Sequence, residues 1–253
     1  MKVISILNEK GGVGKTQTSI NIAVGLSRME YKVLLIDCDP QANTTQYFKF
    51  NKTHIYLEDM LMDDTTGRVY ETNYPGLDLI PCTKKLALTA QLLATETTNQ
   101  LERLGNIIAP MESDYDFVII DLLPTLNLLT TNALYASDMT ISPVTIDTEA
   151  IAGFFSTREN ILQLSNDYNI SIDHYILFNK ISLRSKIDRG LIEDLRATGA
   201  LSFNQLVRYQ GAPMKKASLR RVPVIDSFAK TNGVGQDFRD LNCELVEKLG
   251  LNL

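Results

Sequence analysis

The sequence predicts an α/β fold in which a mostly parallel, twisted sheet is flanked by helices on both faces. Three observations carry that prediction. Short apolar runs alternate with longer amphipathic stretches along the chain, the order of a parallel sheet covered by helices. Two of the runs, Val33-Leu34-Leu35-Ile36 and Phe117-Val118-Ile119-Ile120, are apolar at every position, as strands buried on both faces are. Finally, 253 residues with 44% hydrophobic and 22% charged side chains can build a sizeable core, which excludes a disordered or collagen-like chain. No Pro-, Gly- or Ser-rich linker, repeat or low-complexity tract divides the chain, so a single domain over residues 1–253 is expected.

The elements follow in order. Lys2–Leu7 is the first strand, ended by the polar Asn8-Glu9-Lys10, and a glycine-rich turn leads into a helix over Thr16–Met29. The second strand, Lys32–Asp37, ends in an acid, and a third covers Leu77–Pro81. Helices over Thr83–Thr95 and Asn99–Met111 precede the strand Asp116–Asp121, again closed by an acid. Then come a strand at Met139–Val144, a helix over Thr148–Asp167 and a strand at Tyr175–Phe178. The last helix, around Gly235–Leu249, ends at Gly250.

Composition narrows the function. Three cysteines (Cys38, Cys82, Cys243) and two histidines (His54, His174) are too scattered for a Cys/His metal cage or a disulfide framework, and the odd cysteine count fits a reducing cytosol. No apolar run approaches the roughly 18 residues of a membrane span. Asn8, Glu9 and Lys10 also interrupt any secretory signal, so a soluble, cytoplasmic protein is expected. The net charge of −5 is unevenly spread. Residues 180–230 hold eleven basic side chains against four acids, a local charge of +7 that leaves −12 for the rest. Such a split describes either a basic face for nucleic acid or another anionic surface, or a solvated helix or two.

Open α/β sheets bind ligands at the carboxyl ends of their strands. After the first strand stands Lys10-Gly11-Gly12-Val13-Gly14-Lys15-Thr16. Three glycines let the backbone wrap an anion with its N–H groups inward, and the following helix adds its positive dipole end. Lys15 can reach the β- and γ-phosphates, and the Thr16 hydroxyl can take one Mg²⁺ position. The usual P-loop pattern wants glycine where Glu9 stands, and a second lysine, Lys10, heads the string instead. Nucleotide binding is the expectation.

That string resembles the deviant Walker A motif of the ParA/MinD family of ATPases. The resemblance implies a P-loop NTPase-type fold, ATP/ADP and Mg²⁺ as ligands, and weak intrinsic ATP hydrolysis. It places the phosphates on Gly11, Gly12, Val13, Gly14, Lys15 and Thr16, with Gln17 standing where the family commonly has threonine. It also implies that Lys10 reaches across a nucleotide-sandwich homodimer to the partner's phosphates, which makes Lys10 and Lys15 catalytic candidates.

Past the second strand, Asp37-Cys38-Asp39-Pro40-Gln41 puts two carboxylates on one side by period two. They can hold Mg²⁺ or orient water, or they can cap the following turn. The segment resembles the family's switch I, which implies that Asp39 positions the hydrolytic water and Asp37 supports the metal. Asp121 ends an apolar strand in the Walker B manner and would steady Mg²⁺. The family usually continues Pro-Pro-Ser; here the order is Leu122-Leu123-Pro124-Thr125, a departure in switch II.

In Asn179-Lys180-Ile181-Ser182, Ser182 stands where a guanine reader has its carboxylate, so ATP is expected over GTP. Asn179 resembles an adenine-contacting asparagine of MinD-like relatives. The stretch from Val207 through Pro213 is similar to the ParA/Soj C-terminal region, which implies a base contact at Arg208 and non-specific DNA contacts among Arg184, Lys186, Lys215, Lys216, Arg220 and Arg221. Phosphate contacts of that kind need no base readout.

With a strand beginning at residue 2, no N-terminal helix-turn-helix is expected. The C-terminal stretch 244–250 is acidic as well as apolar, unlike a membrane-surface helix, so no membrane partner is expected. Dispersed cysteines also argue against an iron–sulfur carrier of the superfamily. The resemblance thus implies a nucleoid-associated DNA partition (segregation) ATPase. Its ATP dimer would bind DNA, and a ParB-like centromere-binding protein would stimulate hydrolysis and release. The alternatives are a MinD-like positioning ATPase and a nucleotide-regulated scaffold that recruits a protein machine.

Overall fold

The computed structural model describes residues 1–50, 55–63, 68–95, 101–227 and 233–251. His54, Lys230 and the expected helix start at Asn99 lie outside the described residues. The first half of the chain runs β1 (Lys2–Ile6), α1 (Lys15–Arg28), β2 (Val33–Cys38), α2 (Asn43–Tyr47), α3 (Leu57–Asp63), β3 (Tyr70–Glu71), β4 (Leu77–Ile80), α4 (Leu86–Leu93), α5 (Arg103–Ile108) and β5 (Phe117–Leu122). The second half runs α6 (Leu128–Tyr135), β6 (Met139–Val144), α7 (Thr148–Tyr168), β7 (Asp173–Ile181), α8 (Lys186–Ala197), β8 (Val207–Arg208), α9 (Gly211–Arg220), α10 (Val224–Ser227) and α11 (Val234–Lys248).

These strands form one eight-stranded sheet in the order β3-β4-β2-β5-β1-β6-β7-β8. Every pairing is parallel except β3 with β4 at one edge. The six expected strands are the six interior ones, β4, β2, β5, β1, β6 and β7. The two-residue edges β3 and β8 were not among them, because so short a segment has no readable period.

Period two divides the core. Ile4, Ile6, Leu35 and Ile119 face α1 and α11, where Ile20, Ile22, Phe238 and Leu245 meet them. Val3, Leu34, Ile36, Val118 and Ile120 face the other way, against Leu57, Leu104, Ile107 and Leu129. A third cluster, with Val13, Phe154, Ile176, Phe178 and Leu195, lies beneath the glycine loop and joins it to α7, β7 and α8. Each fully buried side chain of this size contributes about 1.5–3 kcal/mol.

Pro143 sits inside β6, next to β1, where a missing N–H would break a ladder. The β1–β6 register ends at Ile6↔Ile141, so β1 has already left the sheet at that level. The Pro143 carbonyl accepts instead from the Asn8 side chain. A residue that looks unfit for a central strand thus marks where the loop departs.

Candidate functional site

Asn8 anchors the start of the loop. Its amide is fully buried, donating to the carbonyls of Pro143 at 3.0 Å and Ala150 at 3.2 Å, and its Oδ1 accepts from the Lys10 N–H at 2.9 Å. Gly153 of α7 permits that approach, since a Cβ there would lie 2.6 Å from Asn8 Oδ1. Further on, Gly12 (φ 78°) and Gly14 (φ 101°) take backbone conformations that a side chain would strain. No side chain caps the first turn of α1, so its N–H groups are left for an anion.

From β7, Asn179 donates to the Val13 carbonyl at 2.7 Å, and Lys180 Nζ donates to that of Gly12 at 2.6 Å. Lys15 is nearly buried, and its ammonium donates to the carbonyls of Asn8 (2.9 Å) and Lys10 (3.0 Å). Burial lowers the Lys15 pKa, against the pull of Asp121 and Asp39. Beside the loop lies a cavity of 590 Å³ lined by Gly12, Lys15, Thr16, Asp39, Asn43 and Pro124 among others. A cavity of equal volume at the far end of α1, against α10 and α11, carries none of these groups.

Asp37 and Asp121 stand opposite each other in the β2–β5 register, and both are fully buried. Asp121 accepts from Ser19 Oγ at 3.0 Å and from Thr44 Oγ1 at 2.6 Å. Asp37 accepts from the N–H and hydroxyl of Thr45, each at 2.7 Å, and from the Asp39 N–H at 3.2 Å. Burial, then the charge of Asp121, pushes Asp37 up to about 7, and burial raises Asp121 as well. Asp39 is half-buried at the cavity, where its Oδ1 accepts from the Gln41 N–H at 2.9 Å. It therefore closes a turn, as Asp before Pro commonly does, while lining the cavity.

Lys10 is held within its own chain. Its ammonium pairs with Asp147 at 2.5 Å and Glu149 at 3.4 Å, and the Asp147 bond leads in raising its pKa. Burial opposes ionisation of Asp147, but bonds from Lys10, the Thr145 hydroxyl and the Ala150 N–H outweigh it and hold the carboxyl at about 2. Arg208 is not among the residues that line the cavity. Its guanidinium grips the buried Asp237 of α11, with Nη2–Oδ1 at 2.6 Å and Nε–Oδ2 at 2.8 Å, and its N–H adds a third bond at 3.0 Å. Asn179 uses its amide on the loop and on the Lys180 N–H.

The likeness to known proteins agrees with this geometry. A family model described as an AAA domain matches residues 1–174. The sporulation initiation inhibitor protein Soj of Bacillus subtilis is 33% identical over 200 residues, 77% of this chain and 79% of Soj. The chromosome partitioning protein ParA of Myxococcus xanthus is 31% identical over 252 residues, 98% of this chain and 88% of that one. The chain belongs to the ParA/Soj family of partition ATPases. Among solved structures, a cobyrinic acid a,c-diamide synthase from Mycobacterium smegmatis with bound ATP analogue and magnesium superposes with a TM-score of 0.83 at 23% identity, covering 99% of this chain and 96% of that one. A plasmid partition protein from Borrelia burgdorferi bound to AMPPNP gives 0.80 at 22% identity, covering 98% and 99%. At those identities the likeness is one of fold.

In this ParA/Soj-type ATPase the basic residues divide by use. Arg184 and Lys186, at the start of α8, are exposed, as are Lys215, Lys216, Arg220 and Arg221 on and after α9. Arg196 instead donates to the carbonyls of Phe203 and Asn204, Arg208 is bound to Asp237, and Lys180 lies on the loop. The charge count alone could not separate these uses. Asn8, Ser19, Thr44 and Asp147 also escaped sequence reading, since each works through a residue distant in the chain. A carboxylate does stand by Ser182 after all: Asp188 Oδ2 accepts its N–H at 2.9 Å.

The donor set suits Mg²⁺. That ion usually takes one or two carboxylates and completes its octahedron with phosphate oxygens and water. Thr16 and Asp121 offer a hydroxyl and a carboxylate whose burial favours a neighbouring cation. Among the described residues, no three acid, histidine or cysteine side chains converge as a cage. No helix among them is long and apolar enough to cross a membrane.

Proposed function

We propose that this ATPase is a DNA partition (segregation) motor whose ATP-bound homodimer holds non-specific DNA and releases it on hydrolysis. The nucleotide phosphates would lie along Gly11–Thr16, with Lys15 on the β- and γ-oxygens and Gln17 on the adjoining turn. Mg²⁺, when bound, supplies charge neutralisation at the β- and γ-phosphates. Thr16 and Asp121 would hold it, with Asp37 behind them supporting the carboxylate through the strand pair. Asp39 would orient the attacking water from the cavity wall. Lys10 would leave Asp147 and Glu149 to meet the partner's phosphates, so the sandwich dimer competes with an internal ion pair.

The observation that carries the DNA reading is the placement of the exposed basic side chains at the start of α8 and on and after α9. α8 and α9 follow β7 and β8, neighbours in the sheet, and β7 itself reaches the glycine loop through Asn179 and Lys180. In a two-fold dimer their basic faces would act together, and binding through phosphates alone would be steeply salt-dependent. Relatives named for chromosome partitioning support the same reading, as does a Borrelia protein named for plasmid partition. A ParB-like centromere-binding protein would stimulate hydrolysis, and the protein would sit on the nucleoid.

The test is retention of non-specific duplex DNA at low and moderate salt, with ATP–Mg²⁺ and separately with ADP–Mg²⁺. The expected result is binding with ATP alone, fading steeply as salt rises. Equal binding with both nucleotides, or none with either, would overturn the proposal.

A further inference from the structure

The end of β7 is built in an unusual way. Lys180 has a left-handed backbone, φ 57°, which glycine would adopt without strain and a lysine does not readily take. The β7–β8 register breaks at the same place, between Asn179 and Ile181. Beyond it the chain is fastened twice. The Ile181 carbonyl accepts from the Tyr209 N–H at 2.9 Å, and the Ser182 N–H donates to Asp188 at 2.9 Å. The backbone around Lys180 is thus fixed on both sides, and its exposed side chain lies back on the Gly12 carbonyl.

Asn179 and Lys180 are consecutive, and so are the carbonyls they hold, Val13 and Gly12. A trans peptide is planar, with its C=O and N–H pointing in opposite directions. Holding the Gly12 oxygen therefore orients the Val13 N–H, and holding the Val13 oxygen orients the Gly14 N–H. Without those bonds, glycines at positive φ leave the loop free to turn its peptides over.

We propose that Lys180 is a positioning residue of the nucleotide site: with Asn179 it clamps two successive loop carbonyls outward, so that the N–H groups of Val13 and Gly14 point at the phosphates. It acts through the loop and serves ATP and ADP alike. This rests on the reading of the loop as the phosphate site, and it removes Lys180 from the basic surface offered to DNA.

The test compares Lys180→Met, which keeps the stem and removes the ammonium, with Lys180→Arg. Affinity is read with a fluorescent ATP and a fluorescent ADP, and exchange of the Val13 and Gly14 amides is read without nucleotide. Loss of one charge-assisted bond predicts about tenfold weaker binding of both nucleotides in Lys180→Met. It also predicts faster exchange at the two amides, an unchanged melting temperature, and substantial recovery in Lys180→Arg. Wild-type affinities together with wild-type exchange in Lys180→Met would overturn the clamp. So would weaker nucleotide binding with unchanged exchange, which would make Lys180 a direct contact. Failure of the wild-type chain to bind ATP would overturn the functional reading instead, and the exchange measurement would still decide the clamp.

Discussion

Replacing Asp237 by Asn probes how the C-terminal elements are held. Asp237 is 2% exposed and accepts from the Arg208 backbone, Nε and Nη2, so Asn keeps the shape but removes the charge that the guanidinium faces. Breaking a fully buried pair costs about 3–5 kcal/mol, because the partner is left as an uncompensated charge. The Arg208 side chain is 27% exposed and partly screened by water, which lowers the expected loss to about 2–3 kcal/mol. For a chain of this size that is a melting shift of roughly 5–10 °C. Urea unfolding with an unchanged m-value measures it. A loss under about 0.5 kcal/mol would mean the pair is effectively solvated and would refute the reasoning. The same variant separates two roles for Arg208. Its side chain points to α11, so Asp237→Asn and Arg208→Met are expected to bind a fluorescent ATP like the wild type. Loss of nucleotide in Arg208→Met alone would support the base contact implied by the family resemblance.

Three other outcomes are expected. Gly14→Ala brings strain at φ 101° and a Cβ 2.4 Å from Asn179 Nδ2, so nucleotide affinity should fall by about a hundredfold or more while circular dichroism stays native. Lys10→Ala should still bind ATP, and sedimentation should show no ATP-dependent dimer; a dimer there would remove Lys10 from the interface. His174 is buried beside Phe154, bonded to Ser142 Oγ, and burial holds its pKa down at about 3. The unfolded chain, with an ordinary histidine near 6.5, binds the extra proton between those values. Stability should therefore be complete above about pH 6.5 and decline on acidification towards pH 3, by at most about 1.4 kcal/mol per pH unit. Urea midpoints at pH 7 and pH 5.5 check this against His174→Phe, in which that contribution to the slope should vanish.

The sheet interior and the phosphate loop were legible because their signals are local. A fully apolar run between turns declares a two-sided strand, and Lys10–Thr16 can form that loop wherever a strand precedes it and a helix follows. The acids that end the second strand and the strand 116–121 were legible too, but that Asp37 and Asp121 stand opposite each other came only from the β2–β5 register. The helix starts were read to within a few residues at α1, α4 and α11, where apolar periodicity is sustained. The edges β3 and β8 were not legible as strands, for two residues are held by their neighbours and carry no pattern of their own.

For the site, local chemistry determined which groups could act, and tertiary structure decided what each one touches. Nothing in the neighbourhood of Lys10 announces Asp147, which stands 137 residues away in sequence, nor does Arg208 announce Asp237. The dipeptide Asn179-Lys180 was visible, but read as a base reader it hid its bonds to the loop. The physical reason is the same each time. A side chain's donors and acceptors are known from its type, whereas its partner is set by which strands lie side by side, and parallel crossovers bring distant segments to one sheet edge.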